Sequence, residues 1–294
     1  MRTFPFVQVD VFTANPLEGN PLAVFTDARG LSDAELQAIA KEMNLSETTF
    51  VFPRDAPTER ERGHRVRIFT PKEELPFAEH PTLGTAWQLR GDGGASEVVL
   101  DLNAGRIPVR FEDRPDEPAF GEMSQAEPQF GATHDPATIE RAIGLPDGAI
   151  DRGLTVQRVS TGLPVIVTPL RSLEVARALS FDLPRARAYL DAHGARHFYF
   201  VTRETVDPAA ALHARLKFAN GEDPATGSAA GCCIAWAVQH GVVRPDERVM
   251  IEQGIEIGRP SRIFARASRV GGRVADVKVG GNVVRVMRGE LELR

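Results

Sequence analysis

At a constant offset of 148 residues the sequence repeats itself. Pro16 meets Pro164, Pro21-Leu22 meets Pro169-Leu170, and Phe50 and Phe52 meet Phe198 and Phe200. Arg67, Glu74 and Pro76 then meet Arg215, Glu222 and Pro224. The offset is about half of the 294 residues. A chain of this length is therefore expected to form two similar units of roughly 150 residues each rather than one large core.

The order of expected elements repeats as well. In the first half Ser32 can cap a helix, Glu35 can close a capping box, and Leu31 can staple onto Leu36. Leu36, Ile39, Ala40 and Met43 then form one apolar face, and strands follow at Thr48–Phe52 and near Arg65–Phe69. In the second half Asp182 caps a helix that Gly194 stops, before strands at His197–Val201 and Leu212–Phe218. Each half next enters a helix rich in small residues, His80–Leu89 ending near Gly91 and Ser228–Gln239 ending near Gly241. Small side chains all round predict helices packed on every side. Toward the C-terminus, Gly271-Gly272 and Gly280-Gly281-Asn282 read as turns of a strand meander. The residue pattern predicts an α+β or α/β chain of two pseudo-symmetric domains, each a curved sheet around a central helix. Their expected extents are 1–116 and 117–294, parted in the Asp113–Pro118 segment, with the last strands crossing back to the first domain.

Composition narrows the function. Hydrophobic residues are 42% and charged residues 26%, the balance of a globular protein, and no stretch is long and apolar enough to span a bilayer. The net charge of −5 without a basic run argues against a nucleic-acid partner. The N-terminus alternates like a strand rather than a signal peptide, and the two cysteines, Cys232 and Cys233, are adjacent, so they form no ordinary disulfide. A cytoplasmic location is expected. No ligand spacing for a metal and no nucleotide loop occurs, so neither metal nor organic cofactor is expected. Cys232 and Cys233 lie one turn inside their helix and are read as core.

Symmetry breaks at residues able to do chemistry. At the same offset Glu47 meets Ala195, Asp223 meets Leu75, and His80 meets Ser228. A cleft between facing repeats would receive a carboxylate and a histidine from one half, and a carboxylate and a hydroxyl from the other. Each residue has an ordinary alternative: Glu47 a solvated strand-end residue, Asp223 a turn residue, Ser228 a helix N-cap, His80 a structural histidine. His80 and Ser228 also both open buried helices, whose first N–H groups can bind a carboxylate. A neighbouring carboxyl group could then shuttle a proton.

Four segments carry a resemblance. Gly19-Asn20-Pro21-Leu22-Ala23-Val24-Phe25, Leu45-Ser46-Glu47-Thr48-Thr49-Phe50, Pro76-Phe77-Ala78-Glu79-His80-Pro81-Thr82-Leu83-Gly84-Thr85-Ala86 and Glu222-Asp223-Pro224-Ala225-Thr226-Gly227-Ser228-Ala229-Ala230-Gly231 resemble, in order, the signature segments of the phenazine-biosynthesis (PhzF-like) isomerase family. The resemblance implies a diaminopimelate-epimerase-like fold of two barrel-like halves, no metal and no cofactor. It implies a general acid/base isomerisation, cofactor-independent, that moves a proton on a small, carboxylated, unsaturated and hence anionic metabolite. By motif, Glu47 is the proton carrier, and Asn20, His80, Asp223, Gly227 and Ser228 bind or polarise the substrate. A homodimer is implied by the family, with no residue feature of its own to mark it. Where diaminopimelate epimerase opens its central helices with cysteines, this chain has Ala78 and Thr226, which disfavours two-thiol epimerisation. Two alternatives are an epimerase or racemase using Glu47 with another base, and a non-catalytic metabolite-binding protein. One position departs from the family pattern: Glu79 stands where glycine is usual, and the repeat has Gly227 there. Either the backbone is strained at Glu79, or Glu79 adds a carboxylate beside the expected anion site.

Overall fold

The computed structural model describes residues 1–91, 94–113, 118–218 and 221–294. The chain divides into two compact units, Met1–Met123 with Gly280–Arg294, and Ser124–Val279. The expected boundary at residue 116 falls on residues 114–117, outside the described residues.

The first unit runs β1 (Arg2–Val11), β2 (Asn20–Phe25), α1 (Asp33–Met43), β3 (Glu47–Phe52), α2 (Ala56–Arg62), β4 (His64–Phe69), β5 (Glu74–Leu75), α3 (Glu79–Arg90), β6 (Glu97–Leu102), β7 (Gly105–Glu112) and β8 (Phe120–Ser124). The second continues with β9 (Gln129–His134), α4 (Pro136–Ile143), β10 (Val156–Ser160), β11 (Pro164–Pro169), α5 (Leu173–Arg177), α6 (Leu183–Ala192), β12 (His197–Thr202), β13 (Ala210–Arg215), β14 (Lys217–Phe218), β15 (Gly221–Glu222), α7 (Gly227–Gln239), β16 (Val249–Gln253), β17 (Ser261–Val270) and β18 (Arg273–Leu293).

In the first unit the strand order is β1-β2-β3-β4-β6-β7-β8-β18, and β18 pairs back onto β1, from Val11–Val283 to Arg2–Leu293. The sheet is thus a closed barrel, which leaves no edge strand on this path. Inside it α3 packs on β1, β2, β3, β6 and β7. Gly84 lets the helix approach: a Cβ there would lie 2.7 Å from Leu22 Cδ2 and 2.8 Å from Val11 Cγ2. Outside, α1 covers the sheet. Ser32 caps α1 and Glu35 completes the capping box, while Leu31, Leu36, Ile39 and Ala40 join Phe4, Phe25, Phe50 and Phe69 in one buried cluster. Because β2 is covered on both faces, its Leu22–Phe25 reads as a continuous apolar run, whereas β3 opens on Glu47, Thr48 and Thr49 before its apolar Phe50–Phe52.

In the second unit β18 leads into β17, β16, β13, β12, β11, β10 and β9. Here α7 packs on β10, β11 and β17, and its residues Gly227–Val238 are all buried. On the other sheet face, Ile139 and Ile143 of α4 and Ala186 and Leu190 of α6 pack on Ile166, Phe198 and Phe200. Asp182 caps α6, and Gly194 follows it at φ 61°.

The repeat is physical. Arg67 holds Glu74 through Nε (2.8 Å) and a terminal nitrogen (2.6 Å), and Arg215 holds Glu222 through the same atoms at 2.8 and 2.5 Å. Over the preceding helix and strand the true offset is two residues longer. Ser32 and Asp182 are the N-caps, and Phe50 pairs with Arg67 as Phe200 pairs with Arg215. The register therefore sets Glu47 against His197, not Ala195, because the chain from Phe200 to its partner Arg215 is two residues shorter than that from Phe50 to its partner Arg67.

Three further expectations are corrected. Gly271-Gly272 does form a turn, with both residues at positive φ, but Gly280-Gly281-Asn282 lies inside the unbroken strand β18. Gly280 serves close approach instead, since a Cβ there would meet the Gly121 carbonyl at 2.3 Å. The expected strand Leu212–Phe218 is two pieces, because the Leu216 carbonyl turns to accept from the Asp223 N–H. The helix α3 is buried only over Glu79–Ala86, and its last turn is partly exposed.

Candidate active site

In the first unit the parallel pairing of β2 with β3 sets Glu47, the first residue of β3, opposite Leu22, and Asn20 opens β2 fully buried. The pleat places Thr49 on the same face as Glu47. Thr49 Oγ1 meets Thr85 Oγ1 at 2.8 Å, which pins β3 to α3. One helical stretch back, His80 Nε2 lies 3.5 Å from Glu47 Oε2. Their side chains are only 6% and 16% exposed, so the pair is shielded from water. Burial pushes His80 down to about pKa 3, which keeps the imidazole neutral at physiological pH. Phe50 and Phe52 point to the face covered by α1 and do not line Glu47; Phe50 stacks on Phe25 at 5.1 Å.

The helix α3 starts after Ala78 with no side-chain cap among the described residues. Its first intrahelical bond is Thr82 N–H to the Ala78 carbonyl. The N–H groups of Glu79 and His80 fall outside that ladder, and Pro81 has none. Glu79 is 7% exposed and is the first residue of the helix, with helical backbone. It is therefore unstrained, and the sequence alternative of an added carboxylate at the helix tip is the one observed. A carboxylate there is favoured by the helix dipole.

In the second unit α7 also starts without a side-chain cap among the described residues. The N-cap is Thr226, not Ser228, and Thr226 Oγ1 donates instead to Asp223 Oδ2 at 2.6 Å. Gly227 and Ser228 are the first two helical residues, and Ser228 is 9% exposed. The Gly227 carbonyl accepts from Gln125 Nε2 at 3.0 Å. Glu47, His80 and Asn20 thus assemble in one unit, and Asp223, Gly227 and Ser228 in the other.

Sequence reasoning missed Gln253 and Tyr199, which brace the Asp223 turn, and Gln125, which brackets α7. Tyr199 stands between Phe198 and Phe200, and that contrast was an available signal; Gln253 follows Glu252 and Gln125 lies between Ser124 and Ala126, so their neighbours in sequence did not mark them. Cys232 and Cys233 are both fully buried, and burial pushes the Cys233 thiol up, away from the reactive thiolate. Cys232 Sγ lies 3.4 Å from the Leu163 carbonyl oxygen. Among the described residues no group of three or more His, Cys, Asp or Glu could hold a metal ion, and no helix is long and apolar enough to cross a membrane.

The model of the phenazine biosynthesis-like protein family matches residues 9–289. The chain belongs to this family. An uncharacterized isomerase of Mesorhizobium japonicum is 41% identical, with 99% of each chain covered. The trans-2,3-dihydro-3-hydroxyanthranilate isomerase of Pseudomonas aeruginosa is 35% identical over 94% of this chain and 95% of its own. The crystal structure of a PhzF-family phenazine biosynthesis protein of Bacillus anthracis superposes with a TM-score of 0.89 at 26% identity, each chain covered completely. The phenazine biosynthesis-like chain is thus an enzyme of an isomerase family, with the diaminopimelate-epimerase-like fold.

Proposed function

We propose that the protein is a cofactor-independent isomerase that moves a proton on a small, carboxylated, unsaturated metabolite, with Glu47 as the proton carrier. The observation that carries the reading is the shielded Glu47–His80 pair, 3.5 Å apart at an uncapped helix tip. Similarity to an enzyme named for isomerising a dihydro-hydroxyanthranilate supports the substrate class.

The chemistry balances without an oxidant. Glu47 as carboxylate takes a proton from a carbon next to the unsaturation, and the C–H electron pair delocalises into the conjugated system. The neutral His80 imidazole can donate one hydrogen bond without carrying charge of its own, so it orients Glu47 or polarises substrate without neutralising the base permanently. The same Glu47 then returns the proton to a different carbon of the conjugated system, and the double bond shifts. Asn20, Asp223, Gly227 and Ser228 are proposed to bind the substrate. The N–H groups of the first turn of α7 suit its carboxylate.

The test is Glu47→Gln, which keeps shape and hydrogen-bonding reach but cannot carry the proton. Turnover of a panel of cyclic and acyclic unsaturated acids in D₂O is expected to fall by at least ~10²–10⁴-fold, with substrate binding retained. Deuterium incorporation by the variant at the wild-type rate would remove Glu47 from the mechanism.

A further inference from the structure

Gln253 ends β16 with no exposed surface and makes four hydrogen bonds through its carboxamide. Nε2 donates to the Asp223 carbonyl at 2.8 Å and to Thr226 Oγ1 at 3.0 Å. Oε1 accepts from the Thr226 N–H at 3.3 Å and from the Tyr199 hydroxyl at 3.0 Å. A carbonyl only accepts and an amide N–H only donates, so the orientation of the carboxamide is fixed by its partners. Direction then propagates. The Thr226 hydroxyl receives a hydrogen from Gln253, so its own hydrogen goes to Asp223 Oδ2 at 2.6 Å. At the other end burial raises the Tyr199 phenol well above its ordinary pKa, so it remains a donor. Tyr199, Gln253, Thr226 and Asp223 form one chain in which each group donates to the next. The backbone beyond Gln253 is fitted to the same turn: Gly254 has φ 77°, and a Cβ there would lie 2.6 Å from the Pro224 carbonyl.

We propose that Gln253 is a positioning residue for the isomerisation, locking the turn from Asp223 to Ser228 so that the Asp223 carboxylate and the first N–H groups of α7 keep one geometry toward the substrate. It acts through Asp223 and Thr226. The inference rests on the reading of Asp223 and Ser228 as substrate-binding residues. A buried amide with all four bonds made rigidifies its neighbours, and truncating it leaves the Asp223 carbonyl and the Thr226 N–H without these partners.

The experiment compares wild type, Gln253→Met, Tyr199→Phe, Asp223→Asn and the Gln253→Met, Asp223→Asn double variant. Gln253→Met keeps length and removes all four bonds, whereas Tyr199→Phe removes only the outermost. KM and kcat come from deuterium exchange into substrate, folding from circular dichroism and melting, and the brace itself from hydrogen exchange of the Thr226 amide. Gln253→Met is expected to lower kcat/KM by about 10–100-fold, the scale of a small misplacement of a binding group. Tyr199→Phe should lose several-fold in the same direction, and Thr226 amide exchange should quicken in both. The double variant should be within about 3-fold of Asp223→Asn alone, because both changes act on one interaction. Wild-type kcat/KM in folded Gln253→Met, losses that multiply in the double variant, or an unchanged Thr226 amide each overturn the proposal. If Gln253→Met does not fold, Tyr199→Phe decides alone: faster Thr226 exchange with lowered kcat/KM supports it, and unchanged kcat/KM overturns it. Wild-type kinetics in Asp223→Asn would remove the substrate role of Asp223 and this inference with it. A wild type that exchanges no substrate hydrogen overturns the proposed function itself, a result distinct from all of these.

Discussion

Burial decides what Cys232 and Cys233 can do. Both side chains are fully enclosed in α7, and the raised Cys233 pKa leaves no thiolate at neutral pH to attack or abstract. The double variant Cys232→Ala, Cys233→Ala is expected to keep wild-type turnover while melting earlier, since each change deletes buried volume. A loss of turnover at unchanged folding would restore a thiol mechanism. These two residues were legible in the sequence because helix position and composition settle them locally. Glu47 was legible only through its motif, because Phe50 and Phe52 beside it point by alternation to the opposite face and mark the cluster under α1. His213 was not legible at all. Its partners Glu252 and Glu256 arrive from a strand and turn far along the chain, through a parallel pairing that no local pattern announces.

At the scale of elements, the central helices owe their place to glycines. A Cβ on Gly231 would stand 1.7 Å from Gln125 Oε1. That side chain is not free to leave, because its Nε2 holds the Gly227 carbonyl and its Oε1 accepts from Thr161 Oγ1. Replacing a helical glycine by alanine gains about 1 kcal/mol of helix propensity. Overpacking a filled core costs typically ~1–3 kcal/mol. Gly231→Ala is therefore expected to lower stability by up to about 2 kcal/mol in chemical denaturation, and a rise in stability would show that Gln125 moves aside without cost. The capping box of α1 was readable because Ser32 and Glu35 are three residues apart. The role of Gly280 was not, because a glycine pair in a hairpin and a glycine beneath a crossing carbonyl look alike until the neighbouring strand is known.

At the scale of the whole molecule, histidines set opposing pH limits. His213 is fully enclosed, with Nδ1 2.8 Å from Glu252 and Nε2 3.0 Å from Glu256, while Arg215 stands 3.7 Å from Glu256 and binds Glu222. Burial opposes the charge on His213, but the two carboxylates outweigh it and raise the pKa to about 9. The folded state thus holds this proton more tightly than the unfolded chain. The stabilisation is complete below about pH 6.5 and is lost as pH rises through about 9, on the order of 3 kcal/mol. His80 and His197 are pushed down by burial, to about 3 and about 4, so their contribution is present above pH 6.5 and is lost as pH falls. Melting temperature is expected to peak near pH 6.5 and to decline on both sides. His213→Gln, though less stable, should lack the alkaline decline, and an unchanged alkaline decline in that variant would place its origin elsewhere. The two-unit plan was visible in the repeat because its Arg–Glu pairs keep their spacing. The fine register was not, because a two-residue change in loop length shifts the equivalence of Glu47 without leaving a mark in composition.

The strand β18 has a consequence in time. The barrel strand β1 is made long before residues 283–293 of β18, its partner on the side away from β2. The first unit therefore stays unsealed until β18 reaches β1, whereas the second unit, Ser124–Val279, is one continuous stretch of chain. Because β18 runs on from the second unit into the barrel, folding of that unit shortens the effective loop that the β1–β18 pairing has to close, a saving that grows with the logarithm of the loop length.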